Sequence, residues 1–315
     1  MSARSVEARL DPAMRAALAE TARLQGGRKI DWNDLPAMRK GYEAERRYWN
    51  GGGPELARIH DLAVAGPEGP IPLRCYRPTA APALPALVYL HGGGYVLGSI
   101  ATHDRVMRLL AEKSGAAVLG VEYRLAPEHR FPVQLEETAA VLDWLAREGP
   151  AQGLDPSRFA LGGDSAGAHL ALGTTLMRRA APAQPKALIL YYGAFGLADS
   201  RSMRLFGRNA AGLTRADMDF FYASYHGDGP RRADPRLDCL SADLAGLPPA
   251  FILAAELDPL LDDSLTLAAL LEEAGVAHRL RRYDGVLHGF IHYSRAVPLA
   301  MRALDEGAAA LRDWL

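Results

Sequence analysis

Ser165 stands in Gly163-Asp164-Ser165-Ala166-Gly167, with a glycine two residues away on either side. A serine hydroxyl is a poor nucleophile unless a base removes its proton and a carboxylate orients that base. The two glycines suit a cramped turn from strand to helix that lifts the hydroxyl above a sheet edge. Five residues alone are a weak signal. Their setting strengthens it, because Arg158 to Gly162 reads as a strand and Ala166 to Arg179 as a helix.

Upstream, His91-Gly92-Gly93-Gly94 follows the apolar run ending at Leu90. Attack on an ester carbonyl creates a tetrahedral oxyanion, which needs preorganised donors unobstructed by side chains. Consecutive glycines present their backbone N–H groups, and the N–H of Ala166 at the helix start adds another donor. A flexible or phosphate-binding loop is the plainer alternative. No Gly-Lys-Ser/Thr follows and the spacing is not G-x-G-x-x-G, so a nucleotide loop is not expected.

Where a strand–turn–helix presents a serine in this way, acid and base follow it in the chain, acid first. Phe251 to Ala255 reads as a strand with Asp258 just beyond it. His278 to Tyr283 reads as the next strand, with His288 just beyond. Both side chains are therefore expected at the sheet edge that carries Ser165. Glu256 is the runner-up acid and His292 the runner-up base. Asp262 and Asp263 fall in the helix that Pro259 starts and read as surface or supporting groups. His103, His129, His226 and His278 lack a strand-end position and read as surface or packing residues.

The elements that must position these residues show in the patterning. Pro72 to Tyr76 alternates apolar and polar, whereas Ala86 to Leu90, Ala116 to Val121, Phe159 to Leu161, Ala187 to Leu190 and Phe251 to Ala255 are continuous apolar runs. Such runs suit strands covered on both faces. Helical stretches between them, such as Val133 to Leu145 and His169 to Arg179, imply a mostly parallel sheet flanked by helices. The stretch up to Gly53 is helical in character, with Asp11-Pro12 as a start signal and Leu10, Met14, Leu18 and Leu24 on one face. Gly193 to Leu247 interrupts the alternation with short helical patches such as Arg215 to Tyr225. An irregular insertion of that length in a compact α/β unit usually has a function, often as a lid.

Composition narrows the field. The 315 residues are 49% hydrophobic and 23% charged, with a formal net charge of −1. Those values suit an ordinary globular chain and give no electrostatic footprint for nucleic acid or an anionic membrane. The paired arginines Arg46-Arg47, Arg178-Arg179, Arg231-Arg232 and Arg281-Arg282 are dispersed and read as solvated surface. Cys75 and Cys239 are the only cysteines and lie in no CxxC spacing, so neither a disulfide framework nor a structural zinc site is expected. The start, Met1 to Arg9, carries charges where a signal peptide needs an apolar run, and no stretch is apolar enough to span a bilayer. A cytoplasmic location is expected.

With these residues in view, the chain resembles the hormone-sensitive lipase family, the bacterial family IV carboxylesterases of the α/β-hydrolase fold. The resemblance covers most of the chain. It rests on His91-Gly92-Gly93-Gly94, on Tyr123 to Pro132, on the Gly-Asp-Ser-Ala-Gly turn, on Leu247-Pro248-Pro249-Ala250, on Asp258-Pro259-Leu260 and on His288-Gly289-Phe290, in that order. It implies an α/β-hydrolase fold with a helical cap, a catalytic triad of Ser165, Asp258 and His288, and an oxyanion hole of Gly93, Gly94 and Ala166. His91 would hold the glycine loop, and Asp164 marks the GDSAG subgroup. The implied division is 1–53 as N-terminal cap helices, 54–193 and 248–315 as the catalytic domain, and 194–247 as a cap insertion. Leu257, Leu261 and His169 depart from residues common in the family at those places.

The expected activity is hydrolysis of short- to medium-chain carboxylic esters through an acyl-enzyme, with no cofactor and no metal. Two rivals share the fold. An amidase or peptidase would use the same triad, and a non-catalytic receptor would lack the base at His288. The expected partner is a small ester substrate, with no nucleic acid and no stable membrane insertion, and a homodimer is compatible with the chain. The aromatics Phe195, Phe206, Phe220, Phe221, Tyr222 and Tyr225 of the insertion read chiefly as packing inside the cap.

Overall fold

Five consecutive strands in this protein are apolar enough to be buried on both faces, and they form the middle of its sheet. The computed structural model describes residues 6–27, 31, 34–208, 212–227 and 234–315. The charged start at 1–5 and the Arg231-Arg232 pair lie outside the described residues. Helix α1 (Pro12–Gln25) begins where Asp11 accepts the N–H groups of Ala13 and Met14, and it ends at Gly26 in the left-handed region. Helix α2 (Leu35–Trp49) is capped in the same way by Asp34.

Strands β1 (Arg58–Gly66) and β2 (Gly69–Arg77) make an antiparallel hairpin. Next come β3 (Leu84–Leu90), α3 (Asp104–Ser114), β4 (Ala117–Val121), α4 (Val133–Glu148), β5 (Leu154–Asp164), α5 (Ala166–Met177) and β6 (Ala187–Tyr191). The chain closes with α6 (Arg201–Phe206), α7 (Arg215–His226), β7 (Ala250–Ala255), α8 (Leu261–Glu273), β8 (His278–Tyr283) and α9 (Pro298–Trp314).

The eight strands lie in the order β1-β2-β4-β3-β5-β6-β7-β8, antiparallel at β1, β2 and β4 and parallel from β4 to β8. This is the α/β-hydrolase fold expected from the sequence. Alternation along β3 shows how the sheet divides two cores: Val88 and Leu90 face one, Leu87 and Tyr89 the other. Leu142 of α4, Leu172 of α5 and Leu267 of α8 fill the first core. Leu110 of α3 and Leu304 of α9 fill the second.

Strand β1 was not anticipated. Its residues are exposed or half-buried apart from Val64, and so it lacks the apolar run that marks the central strands. Among the described residues, 194–247 contain α6, α7 and a short 3-10 turn at Cys239–Ser241, and no strand. Cys75 and Cys239 are free and buried, and burial pushes the Cys75 thiol up to about 11. No helix among the described residues is long and apolar enough to cross a membrane.

Candidate active site

The turn after β5 is as tight as its glycines suggest. Ser165 has φ 53° and ψ −118°, a conformation that L-residues rarely adopt, and α5 begins at the next residue. A Cβ at Gly163 would lie 2.1 Å from the carbonyl oxygen of Leu90, and one at Gly167 would lie 1.9 Å from the same atom. Both glycines are therefore required by the close passage of the end of β3. The Ser165 N–H donates to the Tyr191 carbonyl at 2.8 Å, which fixes the turn against β6.

Three side chains from three strand ends meet here. The Ser165 hydroxyl lies 2.8 Å from Nε2 of His288, and Nδ1 of His288 lies 2.7 Å from Oδ2 of Asp258. Asp258 is completely buried and accepts the Leu260 N–H through its other oxygen at 2.8 Å. Because an ionised carboxylate only accepts, Nδ1–H donates to Asp258 and leaves the Nε2 lone pair for the serine proton. The Tyr192 ring packs edge-on against the His288 ring at 4.9 Å.

Gly93 and Gly94 have φ of +125° and +61°, and a Cβ on Gly93 would fall 2.1 Å from the Leu97 carbonyl oxygen. The Gly93 carbonyl accepts from Val96 and Leu97, which curls the loop. The N–H groups of Gly93, Gly94 and Ala166 donate to no other described residue. They remain available to an incoming oxygen. His91 is buried under the loop, stacked on Tyr123 at 4.2 Å, with Nδ1 2.9 Å from the Gly92 carbonyl. Burial, together with the charge of His103 nearby, pushes His91 down to about 3, so it stays neutral.

The runner-up residues are engaged elsewhere. Glu256 accepts the Gly285 N–H at 2.8 Å and pairs with Arg9. His292 is buried with Nε2 3.5 Å from Oδ2 of Asp164. Burial, then the charges of Arg46 and His103, push it down to about 3. Asp262 accepts the Ser202 N–H, while Asp263, read from the sequence as a surface or supporting group, is fully buried and accepts the N–H groups of Gly196 and Leu197. His169 is buried, with Nε2 3.2 Å from the Leu237 carbonyl. His129 pairs with Glu68 at the surface, and Nδ1 of His278 lies 3.1 Å from the Val276 carbonyl. Leu257 is buried and Leu261 half-buried.

His103 is more than a packing residue. It is completely buried, with Nε2 3.3 Å from Asp164 and 3.2 Å from the Gly92 N–H. Thr102 donates its hydroxyl proton to the Ser99 carbonyl, so its oxygen is free to accept from Nδ1 of His103 at 2.8 Å. Asp164 also accepts the Tyr89 hydroxyl at 2.8 Å and the Gly92 N–H at 3.0 Å. Burial alone would raise the Asp164 carboxyl, but the charge and hydrogen bonding of His103, and then of His292, hold it well below the usual carboxylate range. Among the described residues, His103, Asp164 and His292 are the side chains whose types and spacing could hold a metal. Their polar atoms lie within reach of one another, and the glycine loop donates to Asp164 through the Gly92 N–H. The only sequence signal for His103 was its place a few residues after the glycines.

Among the described residues of the insertion, Phe221 and Gly212 lie against the residues of the site. The ring of Phe221 lies against Gly94, where an added Cβ would meet three of its carbons at 2.3–2.5 Å. Gly212 faces Leu287, the residue before His288, at 3.4 Å from where its Cβ would be. Aromatics at helical spacing ordinarily read as core, and the sequence does not distinguish Phe221 from the other aromatics of the insertion. Phe195, Phe206 and Tyr225 are buried in the packing role expected of them.

Known proteins share this architecture. A family profile described as the α/β-hydrolase fold matches residues 87–292. An acetyl esterase of Salmonella paratyphi A is 40% identical over 279 residues, covering 87% of this chain and 86% of that protein. A solved hyperthermophilic esterase from the archaeon Pyrobaculum calidifontis superposes with a TM-score of 0.91 at 35% identity, covering 97% of this chain and 98% of the other. A thermostable carboxylesterase cloned from a metagenomic library superposes with a TM-score of 0.86 at 34% identity, covering 90% and 98%.

Proposed function

Since the chain belongs to the α/β-hydrolase family, as a carboxylic ester hydrolase of the hormone-sensitive lipase type, we propose that Ser165, His288 and Asp258 are its catalytic triad. The observation that carries this reading is the unbroken line from the Ser165 hydroxyl through both nitrogens of His288 to Asp258, at 2.8 and 2.7 Å.

In the first step His288 accepts the Ser165 proton through Nε2 as the oxygen attacks the ester carbonyl. The carbonyl oxygen gains charge and moves toward the N–H groups of Gly93, Gly94 and Ala166. Their value lies in being fixed before charge develops, so the transition state costs little reorganisation. His288 then protonates the departing alcohol, and water releases the acid by the same route reversed. Asp258 keeps the imidazole in its working tautomer and stabilises its charged form.

The proposed substrates are esters of short- to medium-chain acids, and the acetyl esterase relative favours the short end of that range. Residues 1–53 and 194–247 are proposed to form a cap over the catalytic unit made from 54–193 and 248–315. The contacts of Phe221 with Gly94 and of Gly212 with Leu287 support this, as does Arg39 of α2, which donates to the carbonyls of Val96 and Ala126 at 2.9 and 3.0 Å. A cytoplasmic location and a homodimeric state belong to the same reading, testable by cell fractionation and sedimentation. The decisive test of the triad is Ser165→Ala, which should abolish hydrolysis of p-nitrophenyl butyrate and leave the thermal transition in place. Retained turnover would overturn the assignment.

A further inference from the structure

We propose that Phe221 sets the acyl-chain limit of this esterase, closing the space beside the oxyanion glycines to all but short acyl groups; the inference rests on the catalytic reading above. The ring does not merely approach the loop. Three adjacent ring carbons, Cγ, Cδ1 and Cδ2, all lie within 2.5 Å of where a Gly94 Cβ would stand, so the ring sits directly over the Gly94 Cα.

Its position is held from both ends of α7. At the start, Thr214 accepts the Asp217 N–H at 3.1 Å and Asp217 accepts the Thr214 N–H at 2.7 Å, a complete capping box. Toward the end, Tyr225 is completely buried and stacks on Tyr95 at 3.8 Å with the rings nearly parallel. Residues four apart share a helix face, so Phe221 and Tyr225 press together on the consecutive residues Gly94 and Tyr95. The neighbouring Phe220 ring, 5.7 Å from that of Phe221, adds support.

The substituents of the reacting carbon then find different walls. One bond goes to Ser165, and the oxyanion points to the glycine and Ala166 amides. The leaving oxygen must lie toward Nε2 of His288, which protonates it. The acyl chain is the remaining substituent. It runs past the oxyanion wall that Phe221 covers.

The test compares wild type with Phe221→Ala and Phe221→Leu on two substrate series. The first is p-nitrophenyl esters from acetate to octanoate; the second is acetate esters of alcohols of graded length. The expected result is a rise of about tenfold or more in the hexanoate-to-acetate ratio of kcat/KM for Phe221→Ala. Phe221→Leu should fall between, with the alcohol profile unchanged in both. An unchanged acyl ratio, or a shift in the alcohol series instead, would overturn the proposal. The Leu variant keeps most of the apolar volume and decides the matter if the Ala variant does not fold. Adding Ser165→Ala separates the two levels. Turnover persisting in the double variant sinks the catalytic reading, whereas a dead double variant together with an unchanged acyl ratio in the single Phe221→Ala and Phe221→Leu variants sinks only the role of Phe221.

Discussion

Asp164 accepts the N–H of Gly92 at 3.0 Å, tying the residue before the serine to the loop proposed to hold the oxyanion. One carboxylate therefore registers the two halves of the site to each other, in addition to the contacts that the turn makes with β3 and β6. Asp164→Asn keeps the shape but loses the charge that His103 and His292 face. We expect kcat to fall by about 10- to 100-fold with little change in KM, because the loss lies in oxyanion alignment. Stability should fall by about 1–3 kcal/mol, since buried hydrogen-bonding partners lose an acceptor. Steady-state kinetics and denaturant unfolding check both, and a variant altered only in KM would contradict the positioning role.

The acid of the triad can be tested apart from its geometry. Asp258→Asn retains the volume and can still accept from Leu260, but it no longer fixes the His288 tautomer. Turnover of p-nitrophenyl acetate should drop by about 10³- to 10⁴-fold. A loss smaller than tenfold would point to another acid.

Gly94 and Phe221 should be coupled. Gly94→Ala places a methyl group inside the Phe221 ring position and strains a backbone at φ +61°. Activity should fall by about 100-fold. Phe221→Ala in the same chain should recover part of it, giving a non-additive double-mutant cycle. Strictly additive losses would mean that the ring is not what the methyl group meets.

Stability should carry a pH signature from Asp263. Burial pushes its carboxyl up to about 7, against opposing hydrogen bonds from the Leu197, Gly196 and Phe195 amides. A raised carboxyl favours the folded state fully when it is neutral in both states, below the ordinary carboxylate range. That contribution is lost as pH climbs toward 7. Asp263→Asn, which can still accept from Gly196 and Leu197, should therefore raise Tm at pH 8 and change it little at pH 4. Parallel Tm curves for the two proteins across that range would contradict this.

Much of the site was legible before the fold was known, because its chemistry lies at strand ends and strands announce themselves. Ser165, Asp258 and His288 each follow an apolar run, and the structure brings them within hydrogen-bonding distance. What escaped the sequence had no local signature. Strand β1 is an exposed to half-buried edge with one buried residue, so its pairing with β2 outweighs a weak pattern. His103 matters only because folding sets it against Asp164, far away in the chain. Phe221 looks like any helical aromatic until α7 is laid over Gly94. Asp263 carries the residue type of a surface helix and is nevertheless buried, because the chain at Gly196 and Leu197 needs an acceptor.

The central claim is that Ser165 forms the covalent acyl-enzyme. The most direct measurement is intact-protein and peptide mass spectrometry after treatment with diethyl p-nitrophenyl phosphate, which traps an activated serine. The account predicts one diethylphosphoryl group per chain on the peptide containing Ser165, none on Ser165→Ala, and slow labelling of His288→Ala. Stoichiometric labelling of another residue, or equal labelling of Ser165→Ala, would contradict it.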